Sequence, residues 1–263
     1  HLVRSTFPDR TGEPVFSRGA RRVDHSTPIE DRWGGWYVTG KGGDSTHLGN
    51  KLFGTRVAPE DRKLVEVDEL SQFLTVDNYL TPHSDLVALM VLEHQAEGLN
   101  RLARASLVTR AALAERAELN QDRGRPSDEA IPSIERRINA ACEAVVEYFL
   151  FCDEAPLRRP VTGTSSFTQE FTARGPFDSQ RRTLREFDLK TRLFRHPMSY
   201  LIYTRAFDGL PAEAQHRIYQ RLREVLSGEE ESPRFAHLAR EQRRAILEIL
   251  SETKAGPPRS WSR

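Results

Sequence analysis

The feature that most constrains this chain is a change of pattern at Pro82. Beyond it Leu89, Leu92, Ala96, Leu99 and Ala103 recur at spacings of three and four, with a second stripe of Val87, Val91, His94 and Gly98 beside them. Residues at those spacings share one face of an α-helix. Two adjacent stripes leave the first half apolar around most of its circumference, which only a buried position tolerates. A long central helix is therefore expected to about Asn120, capped by Ser84 or Asp85. Its later half, studded with Arg and Glu, should emerge to solvent. Gln121 to Ser127, with Gly124 and Pro126, is the best internal loop.

More helical patterns follow. Ile134, Ile138, Ala141, Val145 and Phe149 form one face of a helix over about Ser133 to Cys152. Ala155 to Pro176 is turn-rich. Leu184 to Leu210 holds a helical pattern broken at His196-Pro197. Pro211 suits the start of a helix that Gly228 ends, and another runs from about Ala239 to Lys254. By contrast, His1 to about Asp77 is rich in Gly, Pro, Arg and aromatics, with Trp36-Tyr37-Val38-Thr39 as its best strand. The fold class that results is mainly α. An irregular N-terminal wrap over 1–78, with one or two short strands, lies against a helical domain over 79–263.

Composition excludes some functions. Thirty-nine basic residues against thirty-eight acidic ones leave a net charge of +1. Binding to nucleic acid through bulk charge is ruled out on that balance. No apolar run approaches the roughly 18 residues of a membrane span, so no transmembrane segment is expected. Cys142 and Cys152 lie about 15 Å apart if one helix carries both, too far for a disulfide, so buried free thiols are expected. Neither CxxC nor CxxCH occurs.

The histidines are the first residues to weigh for metal binding, because neutral imidazole is the commonest ligand. His25, next to Asp24, and His47 sit in the irregular segment; His83 stands at the entrance of the long helix and His94 within its apolar stripe. His83 and His94 would be about 16 Å apart along one helix, which forbids a shared ion unless other segments supply ligands. The alternative makes His94 a hydrogen-bonded core residue, His83 a cap, and His25 and His47 exposed turn residues. Met198 beside His196 places a thioether next to an imidazole, the two usual axial ligands of c-type haem, though Met198 also suits a core filler. Trp33-Gly34-Gly35-Trp36 could lie flat on a planar ligand, or anchor the wrap. Gly163-Thr-Ser-Ser-Phe lacks the last glycine of a nucleophile elbow, and Gly40-Lys-Gly-Gly-Asp-Ser has the wrong spacing for a phosphate loop. Both read as turns.

Longer strings bring a resemblance. Phe7-Pro-Asp-Arg-Thr-Gly12, Asp31-Arg-Trp-Gly-Gly-Trp-Tyr-Val-Thr-Gly40, His47-Leu-Gly-Asn50, Tyr79-Leu-Thr-Pro-His-Ser-Asp85 and Val91-Leu-Glu-His-Gln95 carry it, with Arg192-Leu-Phe194 through Phe207-Asp208. Over nearly its whole length the chain resembles the exported c-type cytochrome-like proteins of planctomycetes and similar bacteria. The resemblance implies haem c, electron transfer with a redox partner protein, and a periplasmic or secreted location. It also implies a CxxCH motif shortly before the segment matching Leu2 to Ser5, which would make this chain, opening on His1, a fragment or processed form. Met198 is then the candidate sixth ligand, with His196 and His94 as competitors, and Trp33 and Trp36 as haem contacts. Two other expectations stand beside it: an exported metal-dependent or redox enzyme on His25, His47, His83 and His94, and a non-catalytic helical binding module using an exposed Trp33 and Trp36. No reaction and no catalytic residue follow from the sequence.

Overall fold

The structure is a computed structural model and describes residues 2–42, 46–53, 66–230 and 232–255. Among the described residues six α-helices dominate: α1 Leu86–Asp122, α2 Pro132–Phe149, α3 Phe167–Ala173, α4 Arg205–Asp208, α5 Ala212–Ser227 and α6 Arg240–Thr253. The only sheet among the described residues pairs β1 (Arg4–Ser5) with β2 (Arg21–Arg22) antiparallel, Arg4 opposite Arg22. The chain is thus mainly α, with short strands confined to the N-terminal part.

The helices form where period and caps agree. Asp85 Oδ1 accepts from the backbone N–H groups of Val87 and Ala88 at 2.8 and 3.1 Å, which fixes the start of α1. Gly228, at φ 86°, ends α5 in the left-handed conformation that glycine adopts without cost. The sequence pattern misleads in three places. Trp36 to Thr39 is not a strand; Thr39, Gly40 and Lys41 make isolated bridges, to Asp85, Val67 and Thr162. Residues 184–199 form no α-helix, because Asp188 and the prolyl bond after His196 bend the chain into turns. The helix carrying Cys142 stops at Phe149, so Cys152 lies beyond it; both side chains are buried and neither forms a disulfide.

The chain divides into two compact units, neither contiguous in sequence. The first comprises 1–97, 153–175 and 185–195. Its core joins Leu86, Val87, Met90 and Val91 of α1 to Trp33, Val38, Phe53 and Phe194. There Phe194 stacks on Phe187 and Phe171 at 5.2 and 6.0 Å between centroids, and those two rings meet tilted at 5.4 Å. The second comprises 98–152, 176–184 and 196–263, and there α5 packs between α2 and α6. Ile138, Val145, Ile218, Leu222, Ile246 and Ile249 close that core. Gly98 lets the 3-10 turn Tyr200–Tyr203 approach α1, since a Cβ there would lie 2.3 Å from Leu201 Cδ1.

Candidate functional site: a buried imidazole pair and an open aromatic slot

In the first unit, residues far apart in sequence meet around the early turns of α1. His94 is fully buried, and its Nδ1 faces Nδ1 of His25 at 2.8 Å, with the two rings 20° from parallel. The Phe194 ring meets His94 edge-on at 6.3 Å. Asp24 positions His25 locally by turning the chain, its carboxylate accepting from Ser26 N–H and Oγ. The His25 carbonyl accepts from Ala155 N–H at 3.0 Å and from Arg32 Nη2 at 3.1 Å.

Arg32 and Glu93 are the charged centre of this cluster. Both are 2% exposed or less. Arg32 Nη1 donates to Glu93 Oε2 at 3.0 Å, and its Nε donates to the Thr27 carbonyl at 2.7 Å. The guanidinium thereby ties the segment from His25 to Arg32 onto α1. Burial pushes the Glu93 carboxyl up to about 7, against the pull of Arg32 and of the Trp33 indole N–H. That N–H acts on the carboxyl without a hydrogen bond of full geometry. One helical turn later, Glu97 is also buried and pairs with Arg22.

The Trp-Gly-Gly-Trp block has a backbone explanation. A Cβ on Gly34 would lie 2.0 Å from the Thr6 carbonyl oxygen, and Thr6 N–H donates to Gly34 O at 2.8 Å. Residue 34 must therefore be glycine for the segment following β1 to cross it. Trp33 holds φ at 66°, a costly conformation for a bulky residue, and its ring is buried. Trp36 is half-buried, its indole N–H bonded to the Arg4 carbonyl at 2.8 Å.

Of the four sequence-predicted metal ligands, the structure brings together only His25 and His94. His47 meets the Trp33 ring edge-to-face at 5.2 Å between centroids, and its Nδ1 accepts from Gly49 N–H at 3.1 Å. His83 donates from Nδ1 to the Asp68 carbonyl at 3.2 Å. No group of three or more His, Cys, Asp or Glu able to hold a metal ion occurs among the described residues. Met198 and His196 belong to the second unit, 0% and 7% exposed. Sequence reading missed Arg32 and Glu93 as a pair. The available signal was a carboxylate within the apolar run Val91-Leu92-Glu93, which burial would oblige to find a cation.

A separate open slot lies on the same unit. Pro8, Trp36, Tyr37, Lys51, Leu52 and Phe73 help to line a cavity of about 380 Å³. Tyr37 and Phe73 are 56% and 62% exposed there. Such walls suit a flat apolar group.

Burial also sets a pH dependence. Desolvation, helped by the Lys51 cation, lowers His47 to about 4. Unfolded, it takes its proton near 6.5, so its contribution to stability is whole above that pH and is lost as pH falls toward 4. The difference corresponds to about 3 kcal/mol. Glu93 and Glu154, both raised to about 7 by burial, run the other way: their contributions are whole below about 4.5 and are lost as pH rises to 7. A His47→Asn variant should keep the acceptor for Gly49 and lose the acid-side decline. Urea midpoints at pH 7 and pH 4.5 should move closer together than in the parent, and an unchanged separation would refute this origin.

No helix among the described residues is long and apolar enough to cross a membrane. Comparison with family models, with curated proteins and with solved structures finds no match to this chain.

Proposed function

We propose that this chain is the globular body of an exported cytochrome-like protein that transfers electrons to or from a protein partner. The shared strings carry the class. The structural observation that supports it is the open aromatic slot beside Trp36 and Tyr37, inside the longest of those strings.

The residues present do not by themselves fit a haem. Thioether attachment needs CxxCH, and the two cysteines of the sequence stand ten residues apart. No imidazole, thioether or thiol is among the described residues lining the slot. What these residues do is narrower. Trp36, Tyr37 and Phe73 offer a rigid apolar wall that keeps water from one face of a flat group.

The metal-enzyme alternative has one observation in its favour, the His25–His94 contact. There the two Nδ1 atoms hold each other at hydrogen-bond distance, and a metal would have to displace that bond. The binding-module alternative predicts Trp33 and Trp36 both exposed; Trp33 is in the core and Trp36 is half-buried. The test is to express the complete reading frame with a haem-maturation system and record a pyridine haemochrome. One haem c per chain is expected, and a colourless product would overturn the reading.

A further inference from the structure

We infer that His25 and His94 form one buried proton-binding site that latches the segment Asp24 to Arg32 onto α1 and opens when a second proton arrives. The geometry carries this. Two Nδ1 atoms 2.8 Å apart can share one proton, one imidazole donating and the other accepting. A first added proton goes to an Nε2 and leaves the N–H···N bond in place. A second must enter the shared bond, where two N–H groups would then point at each other. The contact cannot survive that.

The surroundings decide how the cations are tolerated. From the segment itself come Asp24, Arg32 and, just before it, Arg22; from α1 come Glu93 and Glu97. From the stretches packed against His25 and His94 come Glu154, bonded to Leu193 N–H at 2.8 Å, and Arg192, which acts on Glu154. Above about pH 7, Glu93 balances Arg32, and Glu97 balances Arg22. Acid neutralises Glu93 and Glu154 first, because burial already favours their protonated forms. Arg32 then stands uncompensated beside an imidazole pair gaining charge. His94 resists its own proton through burial and the neighbouring His25, so the second proton is taken up with the opening. When the latch opens, the bonds that Arg32 makes to the Thr27 and His25 carbonyls are lost with it.

The chain itself, labelled with 15N in histidine, tests this without any ligand. At pH 7.5 one of the two imidazoles should carry its proton on Nδ1 and the other on Nε2; two Nε2–H tautomers would overturn the proposal. Amide exchange of residues 25–32, corrected for intrinsic rate, should lose at least tenfold protection between pH 7.5 and pH 4.5, while α5 keeps its own. Unchanged protection over 25–32, or equal loss in α5, would also overturn it. In His25→Asn the amide can still donate to His94 without titrating, so the acid loss should shrink to under threefold. A full tenfold loss in that variant would contradict the latch, and the parent's spectra decide the matter if the variant does not fold.

Discussion

Arg32→Met should destabilise the first unit by about 3–5 kcal/mol, the largest effect of any single substitution considered for it. The guanidinium is buried and satisfies three acceptors: Glu93 Oε2, the Thr27 carbonyl and the His25 carbonyl. Methionine fills much of the volume and supplies none of the donors. Glu93 would be left as an unpaired buried carboxyl, forced to ionise at great cost or stay protonated. Arg32→Met combined with Glu93→Leu should recover a large part of the loss, because an apolar pair leaves no orphaned charge. Denaturant unfolding of the four proteins in that cycle measures the coupling. Additive losses would show that the two side chains do not act together.

Asp85→Ala should cost about 3 kcal/mol, through a different mechanism. One carboxylate oxygen caps α1 through Val87 and Ala88. The other accepts from the backbone N–H groups of Thr164 and Ser165 at 2.9 Å each and from the Ser165 hydroxyl at 2.7 Å. Removing the side chain strips four backbone donors of their acceptor and cuts a link between residues 79 and 80 positions apart. Asp85→Asn keeps one carbonyl oxygen and should lose about half as much. A cap-sized loss of under about 1 kcal/mol for Asp85→Ala would mean that the 164–165 turn is held by other contacts.

These two residues also mark how far the sequence can be read. Helix α1, its Asp85 cap, and the Pro211 and Gly228 boundaries of α5 follow from local spacing and capping chemistry, which act within a few residues. The buried first half of α1 follows too, because its apolar stripes extend around the helix. What is not local is not legible. Nothing near Asp85 indicates that it also holds a turn at 164–165, and nothing near His25 indicates His94. The irregular first 80 residues have no period to read. The described ones are ordered by single long-range bonds, such as Arg32 to Glu93 and Thr6 to Gly34, that no stretch of sequence displays. The helical pattern after Leu184 fails for a related reason: Asp188 accepts from Lys190 and Thr191 N–H and makes a tight turn where apolar spacing alone suggests a helix. Of the candidate site, the Trp-Gly-Gly-Trp block was visible as unusual text. That it divides its labour, with Trp33 buried under strain and Trp36 walling an open slot, was not.

We propose that the slot beside Trp36 walls a planar redox group and that Met198, which has no exposed surface, acts in packing within the second unit. The Soret band of the protein from the complete reading frame, loaded by a haem-maturation system, tests it in two variants. Trp36→Ala should shift the band and Met198→Leu should leave it in place. The reverse, an unmoved band in Trp36→Ala and a displaced one in Met198→Leu, would contradict the account and assign the thioether to iron.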